Sequence, residues 1–126
     1  MNERAAQIVS LSAVTLTVSD VARSAPFYEA LGFVRKAGPA MPGFASFELG
    51  GAAGVCYLNL LEGAHGAVSG WGRVIFYVAD VDAFYAHALA SGARPEFAPR
   101  DAPWGERYFH LLDPDGHELS FAKPLA

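Results

Sequence analysis

Leu16-Thr17-Val18-Ser19-Asp20-Val21 and Phe76-Tyr77-Val78-Ala79-Asp80-Val81 are the same short pattern written twice, sixty residues apart. The register continues to Gly32 against Gly92, and Pro42 against Pro103 follows at an offset of sixty-one, so one inserted residue reconciles the halves. Self-similarity at a fixed spacing marks a chain built from two copies of one supersecondary unit. In the first copy Val14, Leu16 and Val18 alternate with Ala13, Thr15 and Thr17, the period-two pattern of a strand with one face on the core. Asp20 ends that strand.

In the second copy Asp80 stands where an N-cap acceptor satisfies free backbone N–H groups, and Asp82 adds favourable charge to the first turn. Val81, Phe84, Tyr85, Ala88 and Leu89 share one face of the helix that follows, and Gly92 closes it. The first-half helix carries Pro26, which lacks an N–H and crowds the preceding turn, so a kink or a late start near Ser24 is expected. Phe27, Tyr28 and Leu31 form its apolar patch.

Three strand-like runs follow each helix, at about 33–37, 44–49 and 54–61, then at about 94–98, 106–112 and 117–122. Gly38-Pro39, Gly50-Gly51, the stretch 99–103 and Asp113-Pro114-Asp115-Gly116 separate them with turn-forming residues. The sum is an α+β chain of βαβββ twice. It reads as a single domain over residues 1–126, with module one at about 10–62, a glycine-rich linker at 63–72 and module two at about 73–124.

Length and composition agree with one domain. The 126 residues are 52% hydrophobic and 17% charged, enough apolar side chain for a core without staples. A formal charge of −4 with no basic cluster argues against nucleic acid as a partner. Cys56 is the only cysteine, which excludes an internal disulfide and a cysteine zinc site and points to a reducing compartment. Residues 1–16 hold no apolar run of secretory or membrane length, so a cytoplasmic protein without a membrane partner is expected.

Thr15 to Val21 with Phe27-Tyr28-Glu29-Ala30-Leu31-Gly32-Phe33, then Pro103-Trp104-Gly105-Glu106-Arg107 and Asp113-Pro114-Asp115-Gly116-His117-Glu118-Leu119, occur in the order that opens and closes a vicinal-oxygen-chelate module. From about residue 10 to 124 the chain resembles that superfamily, which comprises glyoxalase, bleomycin-resistance and ring-cleaving dioxygenase proteins. The resemblance implies a cupped mixed sheet with the helices outside and a cleft for a small molecule. It also implies four metal-ligand positions, with His, Gln or Glu on the first strand of each module and Glu on the last. Here those positions hold Ala13, Asn59, Arg73 and Ser120. Alanine has no donor atom, arginine stays protonated, and Asn and Ser are weak neutral ligands, so no metal is expected there.

Strand alternation assigns the faces. Val74, Phe76 and Val78 on the helix side force Arg73, Ile75 and Tyr77 toward the cup, and the same parity puts Thr15, Thr17, Tyr57, Asn59, Glu118 and Ser120 there. Trp104, in a loop, is placed to overhang the mouth. Arg73 has the chemistry to clamp a carboxylate or enolate, or simply to pair with Glu118; Glu118 has that of a general base if desolvated. Tyr57 and Tyr77 either stack on a planar ligand or fill a core. His65 lies in the linker, His87 on the second helix and His117 at a turn with its parity away from the cup, while His110 has no assignable face; none has metal or triad spacing. Cys56 faces the helix side as a small hydrophobe.

Three readings follow. The first is a metal-independent small-molecule-binding protein akin to the bleomycin-resistance members, sequestering a planar or hydrophobic compound as in antibiotic resistance. Members of this size pair into homodimers, so a homodimer is expected. The second is a lyase, isomerase or dioxygenase-type enzyme using Arg73 and Glu118, or a divalent metal (Zn, Ni, Fe or Mn) at another site. The third is a non-catalytic interaction module.

Overall fold

The computed structural model describes residues 6–51, 54–64 and 70–126, leaving His65 outside the described residues. β1 (Ala13–Val18) buries Leu16 and Val18 and exposes Thr15 and Thr17, as its alternation requires. Asp20 leaves the strand with extended backbone and accepts a bond from the Ala22 N–H at 3.0 Å, which starts α1 (Val21–Leu31). This corrects the late start expected from Pro26. The helix runs through the proline, because only the one i to i−4 bond of its missing N–H is forfeited and the cap at Asp20 sets the helix direction upstream of it. Gly32 closes α1 at φ 111°, a left-handed conformation that a side chain disfavours.

β2 (Val34–Arg35), β3 (Phe44–Gly51) and β4 (Gly54–Glu62) complete the first module, in the order β1-β4-β3-β2 with β1 parallel to β4. The second module repeats this plan: β5 (Arg73–Tyr77), α2 (Val81–Ala90), β6 (Arg100–Asp101), β7 (Glu106–Leu112) and β8 (Glu118–Pro124), ordered β5-β8-β7-β6 with β5 parallel to β8. Asp80 caps α2 through the Ala83 N–H at 3.0 Å. α2 buries Val81 and Ala88 but turns Leu89 to solvent, 50% exposed, so the expected apolar face is narrower.

The strand expected over 94–98 is displaced. Regular pairing begins at Arg100 opposite Tyr108, and upstream only Pro95 bridges Leu111, with the Glu96 N–H bonded to the His110 carbonyl at 2.8 Å. Pro95 and Pro99 supply no N–H to a ladder, so the segment follows the edge of β7 without extending the sheet.

One core serves both modules. Phe33, the residue after the α1 cap, meets Phe76 edge-on at 5.0 Å, Tyr28 at 5.4 Å and Phe47 at 6.0 Å, so rings from both halves surround it. Leu58, Leu60, Phe109, Leu111, Leu119 and Phe121 belong to the same cluster. This core lies on the helix-bearing side of each sheet, so the opposite face of each sheet is turned away from it.

The Asp113–Gly116 turn joins the halves. Asp113 folds the turn by accepting from the backbone N–H groups of Asp115 at 2.9 Å and His117 at 2.8 Å, and its other oxygen accepts the Tyr28 hydroxyl from α1 at 2.7 Å. Burial and the Asp113 carboxylate together push the Tyr28 phenol far above its usual range. Asp115 accepts from the Ser19 N–H at 3.0 Å and the Ser24 hydroxyl at 3.2 Å, and pairs with Arg23 at 3.2 Å. His117 is likewise buried, between the Trp71 indole N–H, which donates to Nδ1 at 3.0 Å, and the Thr17 carbonyl, 2.8 Å from Nε2. Because an indole only donates, Nδ1 is the acceptor in this contact and Nε2 donates to the Thr17 carbonyl.

Burial pushes the Asp115 carboxyl up, but the bonds from Ser19 and Ser24 and the Arg23 charge outweigh it and hold the group below the usual carboxylate range. A depressed folded value means this stabilisation is present above the unfolded value of about 4 and is lost as pH falls through the folded one. Asp115→Asn is therefore expected to cost about 2 kcal/mol at pH 7 and to reduce the stability lost on acidification, both read by urea unfolding at neutral and acid pH. An unchanged pH dependence in the variant would contradict the assignment.

Candidate ligand site

On the outward face of the first module, strand register assembles a polar line. Asn59 of β4 lies between Thr15 of β1 and Ser46 of β3. The Ser46 hydroxyl donates to Asn59 Oδ1 at 2.7 Å, and Asn59 Nδ2 donates to Thr15 Oγ1 at 3.3 Å. Two residues earlier on β4, Tyr57 carries the Lys36 ammonium 4.9 Å above its ring. Ser46, Asn59, Tyr57 and the 36–41 loop enclose a groove of about 550 Å³, with Ala13, Arg35 and Phe44 on its walls and Thr15 outside them. That volume is within the range of small-molecule pockets. None of the module-two candidates lines this groove. Thr17, though exposed on the same strand, is absent from its walls.

On the second module Arg73 and Glu118 are register neighbours on parallel strands, and Arg73 Nε donates to Glu118 Oε1. The pair is lateral, along the sheet, not across a hollow. His110, whose face was not assignable from sequence, sits beside it with Nδ1 3.6 Å from Glu118 and 3.7 Å from Glu96. Burial, then the Arg73 charge, hold the His110 imidazole below its usual range, favouring the neutral ring. Burial raises Glu96, and the neighbouring Glu118 raises it further. Burial also acts to raise Glu118, but Arg73 outweighs it and keeps that carboxyl low.

The rest of this face is aromatic and charged. Tyr77 donates its hydroxyl to Glu106, which also accepts the Trp104 indole N–H at 2.9 Å. The Trp104 ring lies 5.3 Å from Tyr108, and the Arg100 guanidinium covers Phe97 at 3.8 Å. Ser120 is buried opposite His110.

The positions where the resemblance implies metal ligands do not fit a metal. Ala13 offers nothing, the Asn59 oxygen accepts from Ser46, and Arg73 is a cation bonded to Glu118. The set among the described residues whose donor atoms converge is Glu96, His110 and Glu118, all within 4.8 Å of one another. Sequence reasoning placed Thr15, Tyr57, Asn59, Arg73, Tyr77 and Glu118 but missed Ser46, Lys36 and Glu96. Parity on β3 was available for Ser46. Glu96 carries no periodic signal, because its segment is irregular. Of the remaining histidines, His87 bridges the helices with Nε2 2.9 Å from the Ala30 carbonyl, and His117 is consumed in the module joint. Cys56 is half-buried.

The Glyoxalase/Bleomycin resistance protein/Dioxygenase superfamily model matches residues 10–121. Among solved structures, a glyoxalase/bleomycin resistance protein/dioxygenase from Nocardioides superposes with a TM-score of 0.75 at 23% identity, covering 94% of this chain and 85% of that one. TioX from Micromonospora sp. ML1 gives a TM-score of 0.70 at 27% identity over 93% of this chain and all (100%) of that one. An uncharacterized protein of Mycobacterium bovis is 44% identical over 48 residues, a stretch that spans 38% of this chain and 32% of the relative. The doubled topology, the fold likeness and a family match covering most of the chain agree: this chain belongs to the Glyoxalase/Bleomycin resistance protein/Dioxygenase superfamily.

Proposed function

We propose that the chain binds a small planar compound against its outward sheet faces, without a metal at the four superfamily ligand positions, and that two copies complete the cleft. The observation that carries this reading is the groove over Tyr57 and Asn59: a concavity of ligand size whose floor is an ordered hydrogen-bonded line and an aromatic ring. The same faces expose apolar side chains that a second copy would cover: Val55 and Leu61 on β4, Ile75 and Tyr77 on β5. Sequestration of a toxic planar molecule in a reducing cytoplasm is the role we favour. Among the described residues no helix is long and apolar enough to cross a membrane.

Sedimentation equilibrium is expected to give a dimer, and Ile75→Glu, a charge placed on the exposed face, is expected to give a folded monomer with weaker ligand binding. A wild-type monomer would contradict the two-copy cleft.

A second reading rests on the convergence of Glu96, His110 and Glu118. His and carboxylate ligands of this kind suit a divalent cation such as Zn or Mn, and a lyase, isomerase or dioxygenase-type activity would then follow. Arg73 weighs against it, since its charge occupies Glu118 and repels a cation. After dialysis against zinc or manganese and removal of free metal, elemental analysis is expected to show substoichiometric content. One equivalent per chain, lost in His110→Ala, would favour the second reading.

A further inference from the structure

We infer that the module-one groove selects an anionic ligand, a planar aromatic or unsaturated carboxylate, and this rests on the small-molecule reading above. The chain as a whole is acidic, with a net charge of −4, yet the charged residues lining the groove are Arg35 and Lys36, with no carboxylate among them. The charged side chains lining the groove are opposite in sign to the net charge of the whole protein, which favours entry of an anion.

The two cations differ in what already holds them. Arg35 pairs with Glu29 at 3.4 Å and lies 5.6 Å from the centre of the Phe47 ring. Lys36 makes no ion pair among the described residues, and its ammonium rests over the Tyr57 ring. Its backbone is fixed, because the Lys36 N–H donates to the Ser46 carbonyl at 2.8 Å, which anchors the side chain at the rim of the groove. An ammonium has three donors and no acceptor. It therefore presents unspent donor capacity beside an aromatic surface.

The floor matches that polarity. The Ser46 hydroxyl spends its proton on Asn59, and Asn59 spends one N–H on Thr15, which leaves the second amide N–H of Asn59 to donate. Lys36 and Asn59 thus offer donors at two points, with Tyr57 and Phe44 as apolar walls between the loop and the sheet. A flat molecule with a carboxylate at one end and an acceptor at the other meets each of these groups. A cationic ligand instead meets the like charges of Arg35 and Lys36.

Isothermal titration calorimetry with trans-cinnamate, cinnamamide and protonated cinnamylamine separates the possibilities. Cinnamate is expected to bind about fivefold more tightly than the amide, and the amine most weakly. Lys36→Met, at an exposed position outside the core, is expected to erase the difference between acid and amide, and Lys36→Arg to retain it. Equal affinities for acid and amide, both weakened by Tyr57→Ala, would overturn the anion preference while leaving the small-molecule reading intact. Tightest binding by the amine would overturn that preference too. No binding by any of the three at millimolar concentration, in wild type and Tyr57→Ala alike, would overturn both.

Discussion

Two buried carboxylates, Asp113 and Asp115, hold the halves of this molecule together. Both sit on a turn of the second module, yet their partners Tyr28, Ser19, Ser24 and Arg23 belong to the first. Burying a charge is costly unless its lone pairs find donors, and here the side-chain donors, with the Ser19 N–H, come from the other module. The turn is therefore satisfied only when the modules are docked. Docking in this way places the helix-bearing sides of both sheets around the Phe33 cluster and leaves the opposite faces outside it. The open faces of the chain, and with them the groove, are a consequence of that joint.

Much of the fold was legible in the sequence because it rests on local rules repeated twice. Alternation in β1 and β5, the aspartate cap at Asp80 and the glycines after each helix are all short-range signals, and each appears where expected, while the matching cap at Asp20 was read only as a strand end. Departures occur where a local rule met a tertiary one. Pro26 is tolerated because its helix is capped upstream and packed through Tyr28 and Leu31, and Leu89 faces solvent because α2 is held by Val81, Ala88 and the His87 contact to α1. The segment before β6 fails as a strand because two prolines interrupt its ladder, and its Phe97 ring instead packs on Tyr108 and His110.

The site was legible to the extent that parity fixes a face. Thr15, Tyr57 and Asn59 do gather, and so do Arg73 and Glu118, but as two groups on two sheets. Parity says which way a side chain points and nothing about how two sheets are set against each other, so a hollow shared within one chain does not follow from it. Lys36 and Glu96 were invisible for a related reason, since both lie in connecting segments whose path is decided by the sheets they cross. The Asp113–Gly116 turn was read as a turn and is one. Its role as the joint depends on partners about 85 to 96 residues away, which no local pattern records.

Whether a small molecule is held in the groove over Tyr57 and Asn59 is tested most directly by nitrogen-15 chemical-shift mapping during titration with trans-cinnamate. Progressive shifts are expected, confined to the 36–41 loop and to Ser46, Tyr57 and Asn59, together with any residues a second copy brings over them. Shifts confined instead to the Arg73, His110 and Glu118 face of a monomer would contradict that placement.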